Sequence, residues 1–78
     1  MREKETRCVI TFPTTTAAMA MERHCGAVGL PGRLIPVPRS ITAGCGLCWS
    51  APLPDRERLE DAVMDAHLTI SGIYTVLL

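Results

Sequence analysis

The 78-residue sequence predicts a small α+β domain, in which a four-stranded antiparallel sheet carries two helices on one face. Three observations predict this fold class. Short β-branched and aromatic runs alternate with two segments whose apolar residues recur every three or four positions. Apolar residues make up 47% of the chain, too many for a disordered protein. A chain this short has room for one core, so residues 1–78 are predicted to form a single domain.

The first half of the chain predicts a strand, a helix and a second strand. Residues 7–12 are β-branched and aromatic and end at Pro13, which indicates a strand. Threonines 14–16 supply hydroxyl caps for a helix. The predicted buried stripe of that helix comprises Ala18, Met21, Cys25 and Val28. Residues 33–37 form a short strand, and Pro36 places it at a sheet edge because proline cannot donate a ladder hydrogen bond.

The second half predicts a loop over residues 38–44, a strand over residues 46–51, a helix and a last strand over residues 73–78. The helix begins near Asp55, and its apolar positions are Leu59, Ala62, Val63 and Ala66. The resulting β-α-β-β-α-β order closes most simply as a ferredoxin-like sandwich, with strands in the spatial order 4-1-3-2.

The last strand is predicted at an edge of this sheet although both of its faces are apolar. An apolar edge strand tends to pair with another chain, so we expect either a homodimer through this edge or a partner that covers it. A monomer in which Tyr74 and Leu78 are simply exposed fits the same pattern.

Charge and composition exclude one class of function and indicate a compartment. Eight Lys and Arg balance eight Asp and Glu, and Phe, Trp and Tyr each occur once. A nucleic-acid-binding domain would show a basic excess and stacking aromatics. Residues 1–6 are polar, predicted to be flexible, and not followed by the apolar segment of a signal peptide. No apolar run approaches the roughly 20 residues that span a membrane, so we expect a cytoplasmic protein with reduced thiols.

The four cysteines fall in different settings. Cys8 lies in the first strand and Cys25 on the buried helix stripe, so both are predicted to be packed. Cys45 lies in a loop between Gly44 and Gly46. The glycines leave the sulfur uncovered and free the backbone to direct N–H groups at an anion. Cys45 is therefore the candidate reactive residue, although a small residue in a glycine turn explains the same pattern.

Polar side chains earlier in this loop extend the candidate site. Arg39 lies six residues before Cys45, and a guanidinium stabilises a thiolate, the nucleophilic form of cysteine. Hydroxyls at Ser40 and Thr42 are placed to hydrogen-bond a thiolate or the terminal sulfur of a persulfide. The predicted supporting residues are Gly44, Gly46, Arg39, Ser40 and Thr42.

Cys45 and Cys48 also form a C-x-x-C motif, which is typical of redox pairs and of half a zinc site. If Cys48 lies within the strand, three extended steps of ~3.3 Å separate the two Cα atoms by about 10 Å, whereas a disulfide needs about 7 Å or less. Zinc would need a second ligand pair, for which residues 24–25 are the nearby candidate. We predict no metal and no cofactor, and Cys48 remains a candidate redox partner of Cys45.

Two segments resemble a known family. Residues 34–41 (LIPVPRSI) and 44–47 (GCGL) are similar to the Putative Se/S carrier protein-like domain, a family of small bacterial proteins. Residues 11–13, the helix with Ala18 and Glu22, and residues 29–31 also fit, so the resemblance covers most of residues 9–51. Residues 42–44 (TAG) stand where the family commonly has a serine-rich run.

The resemblance implies a carrier protein rather than an enzyme with its own turnover. Cys45 would hold sulfur or selenium as a persulfide or perselenide, with Gly46 as its neighbour in the motif. The implied partners are a cysteine desulfurase or selenium-donor enzyme and a downstream acceptor enzyme. Two alternatives remain open from the residues: a non-catalytic ligand-binding or regulatory module that uses loop 38–46 as a clasp, and a thiol–disulfide redox module that uses Cys45 and Cys48.

Overall fold

A computed structural model describes residues 5–41 and 45–78 and contains the predicted elements in the predicted order. They are β1 (Thr6–Thr11), α1 (Thr15–Val28), β2 (Arg33–Pro36), β3 (Leu47–Pro52), α2 (Arg56–Asp65) and β4 (Gly72–Leu77). A short 3₁₀ turn, Leu53–Asp55, leads into α2 and was not predicted. Within the segment predicted to be flexible, Glu5 exchanges backbone hydrogen bonds with Leu78 and Thr6 begins β1, while residues 1–4 lie outside the described residues.

The four strands form one antiparallel sheet in the order β2-β3-β1-β4, which confirms the predicted ferredoxin-like topology. The central strand β1 pairs with β3 from Arg7↔Pro52 to Thr11↔Cys48. On its other side it pairs with β4 from Thr6↔Leu77 to Thr11↔Gly72. The proline-containing strand β2 lies at an edge, as predicted, and β4 lies at the opposite edge.

The core lies between the sheet and the two helices. Alternate residues of the first strand and its continuation, Cys8, Ile10 and Phe12, face the helices and are fully buried. The other core members are Ala17, Ala18, Met21, Cys25, Trp49, Ala51 and Leu59. The predicted packing of Cys8 and Cys25 is therefore confirmed.

One predicted core position is wrong. Val28 continues the stripe of α1 in the sequence, but its side chain is 54% exposed. It is the last residue of α1 and lines an open groove between the helices. Periodicity identifies the face of a helix, but it does not show where along the helix the covering layer ends.

Both helices end in left-handed residues. α1 begins with Thr14, whose side-chain Oγ1 accepts a 3.1 Å hydrogen bond from the Ala17 N–H, and ends at Gly29 with φ 76°. After α2 the left-handed residue is His67, with φ 53°, and the Leu68 N–H donates to the Val63 carbonyl at 2.9 Å. This bond satisfies a carbonyl that the helix end leaves without a partner.

The sheet face opposite the helices is also buried along its two central strands. Its buried residues are Val9, Thr11, Cys48 and Ser50. These side chains are small, and longer ones lie beside them, since Ile35 is the register partner of Cys48 and Tyr74 that of Val9. Arg7 reaches across this face and donates to the Ser50 Oγ at 3.1 Å.

Trp49 anchors the connection between α1 and β2. Its indole Nε1 donates to the Pro31 carbonyl at 3.2 Å, and Gly32 packs directly against the ring. Gly32 has φ 124°, and a Cβ there would lie 2.7 Å from the indole Cε2 and 2.8 Å from the Ser50 carbonyl oxygen. Only glycine fits at this position without displacing the backbone.

Gly32→Ala is expected to lower the free energy of unfolding by about 2 kcal/mol or more, because it adds both backbone strain and overpacking. The matched control is Gly26→Ala, an exposed position within α1 where an added Cβ meets nothing within 4 Å. The control should raise stability by roughly 0.5–1 kcal/mol. Urea unfolding of the two variants measures the difference, and equal stabilities would contradict the packing described here.

Candidate functional site

The loop that contains Cys45 is closed at its base by a backbone hydrogen bond. The Val37 N–H donates to the Gly46 carbonyl at 3.0 Å, which extends the pairing of β2 with β3 by one step. The loop lies at the end of the sheet where β1 ends and β4 begins, because Thr11 is opposite both Cys48 and Gly72. Cys45 is thus held at the sheet end by a fixed hairpin base.

The first part of the loop is a turn. The Ile41 N–H donates to the Pro38 carbonyl at 3.0 Å, which places Arg39 and Ser40 at the two corners with exposed side chains. Among the described residues, the side chains of Arg39 and Ser40 have no hydrogen-bond partner. Neither of them is therefore hydrogen-bonded to Cys45. The two other predicted supporting residues, Thr42 and Gly44, lie outside the described residues.

Cys45 lies at the margin of the core. Its side chain is half-buried, packs against the residues that face the helices, and donates from Sγ to the Leu47 carbonyl oxygen at 3.4 Å. A thiolate has no proton to donate, so this contact exists only while Cys45 is protonated. The sequence did not indicate this contact, because a carbonyl acceptor exists at every residue and leaves no pattern of residue types.

Gly46 gives the backbone its turn into β3. Its φ is 80°, in the left-handed region that favours glycine, and the residue is exposed. An added Cβ would meet nothing within 4 Å, so the space beside Cys45 is open on this side. The left-handed φ shows that the turn into β3 uses the conformational freedom of a glycine.

Cys48 lies within β3, as predicted, and is fully buried. Its position next to Trp49 puts its side chain on the sheet face opposite the helices, and its Sγ is 3.9 Å from the Pro36 carbonyl oxygen. Burial raises the pKa of the Cys48 thiol to about 11, and the nearby Cys45 acts in the same direction. Both residues of the C-x-x-C motif are free thiols, and they belong to opposite sides of the sheet.

The other two cysteines are protected in the same way. Cys8 and Cys25 are fully buried, and burial raises the pKa of each thiol. At Cys8 the positive charge of Arg56 offsets part of this shift. All four cysteines belong to the described residues, and Cys45 alone has a side chain that is not buried.

A concave region lies between the helices, apart from the Cys45 loop. It is an open groove of about 430 Å³ lined by His24, Val28, Leu30, Arg58, Asp61, Ala62 and Asp65. None of these residues belongs to loop 38–46, so the groove and the Cys45 loop are separate features.

Within the described ranges, no three His, Cys, Asp or Glu residues are grouped to hold a metal ion. Over the same ranges, no helix has both the length and the apolar character needed to cross a membrane.

Stability is expected to fall as the pH rises above about 8.5, partly because of Cys48. A cysteine in the unfolded chain loses its proton near pH 8.5, whereas folded Cys48 keeps its proton until about pH 11. The unfolded state therefore ionises first as the pH rises. The contribution of protonated Cys48 to the free energy of unfolding is complete below about pH 8.5 and lost by about pH 11. The size of this loss is about 3 kcal/mol.

Urea unfolding from pH 7 to pH 11 measures this slope, with Cys48→Ala as the comparison. The variant should lose less stability over this range than the parent, because it lacks one of the buried thiols. Parallel slopes for the two proteins would show that the folded state does not hold the Cys48 proton.

Comparison with known proteins gave one match. The sequence model of the family described as Putative Se/S carrier protein-like matches residues 7–75, which is nearly the whole chain. The match includes Cys45. The motifs noted in the sequence cover residues 9–51, and the family match extends further, through α2 and into β4. Searches of curated proteins and of solved structures gave no match.

Proposed function

The chain belongs to the Putative Se/S carrier protein-like family, and we propose that it holds sulfur or selenium on Cys45 and relays it between partner enzymes. One observation supports Cys45 above all others. It is the one cysteine of the four whose side chain is not buried, and its thiol lies on a loop rather than within a strand or helix. A carrier needs a sulfur that enters another protein's active site, and a loop at the end of a sheet meets that need.

The proposed transfer needs no oxidant or reductant. The Cys45 thiolate attacks the terminal sulfur of a donor enzyme's persulfide, and a new S–S bond forms as the donor's S–S bond breaks. The donor leaves as a thiolate and takes up the proton that Cys45 gave up. Cys45 then has a persulfide, and a thiolate of the acceptor enzyme removes its terminal sulfur by the same exchange. The perselenide reaction is analogous.

The environment of Cys45 supports this chemistry in two respects. Among the described residues, the side-chain hydrogen bond of Cys45 is a weak S–H contact with the Leu47 carbonyl at a 3.4 Å Sγ–O distance, so a docking partner displaces it at small cost. On the other side, Gly46 has no side chain to obstruct an approaching persulfide. The sulfur therefore exchanges an intrachain contact for contact with a partner.

Residues before Cys45 supply charge and polar groups in this proposal. Arg39 is exposed at a turn corner, where its guanidinium is available to a thiolate or persulfide anion once a partner has docked. Ser40 is the adjacent exposed hydroxyl, and Thr42 and Gly44 complete the proposed set. Cys48 takes no part, because its thiol is buried on the far side of the sheet.

The remaining catalytic groups come from the partners. A 78-residue domain has a small core and little binding surface of its own, so in this proposal the donor and acceptor enzymes supply the pocket. The donor class that fits is a cysteine desulfurase or a selenium-donor enzyme, and the acceptor is an enzyme that consumes persulfide sulfur or selenium. The relay operates in a reducing compartment such as the cytoplasm, where its other thiols stay free.

Incubation with cysteine and a cysteine desulfurase should load the protein with sulfur on Cys45. Intact-mass spectrometry is expected to show the wild-type chain heavier by one sulfur atom, and reduction should reverse the change. Cys45→Ala should gain none. Cys48→Ala is the matched control, since it removes a cysteine three residues away that is buried, and it should load like the wild type.

Each alternative outcome has a distinct meaning. If Cys45→Ala loads as fully as the wild type, the carrier residue is misassigned. If the wild type accepts no sulfur and mild oxidation instead joins Cys45 to Cys48, the thiol–disulfide redox function replaces the carrier function. If no variant and no wild-type protein accepts sulfur from any donor tested, the non-catalytic binding module is the better description.

A further inference from the structure

The outer edge of β4 is an unpaired strand edge, and the residues of β4 itself have no charge. The charged side chain that reaches β4 is Arg56 of α2, which donates to the Thr75 Oγ1 at 2.8 Å. β4 pairs with β1 on its inner side, and within residues 5–41 and 45–78 no strand pairs with its outer side. Residues 71–78 (SGIYTVLL) contain no charged side chain and no proline. Leu77 is 61% exposed and Tyr74 is 41% exposed, both large apolar side chains.

The backbone hydrogen bonds identify which residues of β4 direct their polar groups outward. Glu5 and Leu78 exchange both backbone hydrogen bonds, at 2.8 and 2.9 Å. In an antiparallel pair this pattern recurs every second residue, so Val76, Tyr74 and Gly72 also direct their N–H and C=O groups at β1. The intervening residues Ile73, Thr75 and Leu77 direct theirs away from the sheet.

The opposite edge of the sheet shows what a protected edge looks like in this chain. β2 contains Pro36, which has no N–H to donate, and begins with the exposed, charged Arg33. Prolines at positions 31 and 38 flank it. Proline and charge are the usual means by which proteins prevent edge pairing, and both occur on β2 while neither occurs on β4.

We propose that the outer edge of β4 pairs with the same edge of a second copy of this chain, antiparallel and centred on Thr75. In this register each Thr75 lies opposite the other, and Ile73 lies opposite Leu77 of the second copy. Every outward-directed N–H and C=O of the strand then has a partner on both copies. The result is a continuous eight-stranded sheet with the helices of both copies on one face.

A second copy fits this edge better than a strand of different sequence. The register is self-complementary, since Ile73 meets Leu77 on the helix side and Tyr74 meets Val76 on the other side. The charges beside the edge are also balanced, because Arg56 pairs with Glu60 at 3.2 Å and donates to the Thr75 Oγ1 at 2.8 Å. The formal net charge of the chain is zero, so no long-range repulsion opposes self-association.

This pairing leaves both Cys45 loops accessible. The loop lies at the end of the sheet where β4 begins, and antiparallel pairing puts the two β4 N-termini at opposite ends of the joined sheet. Neither copy covers the loop of the other. Dimerisation and sulfur transfer are therefore independent, and a monomeric variant should still accept sulfur on Cys45.

Light scattering after size-exclusion chromatography tests the association. At about 100 μM chain the wild type should have twice the 8.5 kDa chain mass. Leu77→Lys should be a monomer, because each copy would bring a charge to the shared edge. Val28→Lys is the matched control, since Val28 is a similarly exposed apolar residue on α1, away from β4, and it should remain a dimer. A monomeric wild type, or dissociation by both substitutions alike, would overturn the proposal.

Amide hydrogen exchange tests the register. In the wild type the N–H groups of Ile73, Thr75 and Leu77 should be protected, and in Leu77→Lys they should exchange rapidly. The N–H groups of Tyr74 and Val76 bond to β1 and should stay protected in both proteins. Rapid exchange at the three outward positions of a dimeric wild type would show that the copies associate through another surface, which would also overturn the proposal.

Discussion

The structure depends on β1 being paired on both of its edges and buried on both of its faces. Residues 8–12 are all buried. One face of β1 is covered by α1 and α2. On the other face, small residues of β3 lie beside β1, and the longer side chains of Ile35 and Tyr74 flank them. Because β1 fixes the register of β3 and β4, it also determines which loop lies at the end of the sheet with Cys45.

The same constraint separates the four cysteines by chemistry. Cys8 in β1, Cys25 in α1 and Cys48 in β3 are buried where the fold needs small apolar side chains, and desolvation raises the pKa of each. Such thiols stay protonated and unreactive at neutral pH. Cys45 directly precedes Gly46 at the hairpin base and is only half-buried, so the chain has one accessible sulfur and three protected ones.

The sequence was sufficient to predict the element order, the strand order and the burial of Cys8 and Cys25, because each follows from local periodicity and short connections. The predicted burial of Val28 is wrong. Periodicity places this residue on the buried face of α1, but it lies in the last turn, where the side chain is exposed. The Cys45 contact with the Leu47 carbonyl was not predictable, since backbone acceptors leave no residue pattern. The sequence left the orientation of Arg39 open, and the turn at residues 38–41 places this side chain in solvent without a hydrogen bond to Cys45.

Alkylation of the native protein tests most directly whether one sulfur is presented and three are protected. With iodoacetamide at about pH 8, peptide mapping should find one label per chain, on Cys45, and Cys45→Ala should take up none until it is unfolded. Denaturant should then expose the three remaining thiols of the wild type. Labelling of Cys8, Cys25 or Cys48 as fast as Cys45 in the folded protein would contradict this account, and so would a native Cys45 that reacts only after unfolding.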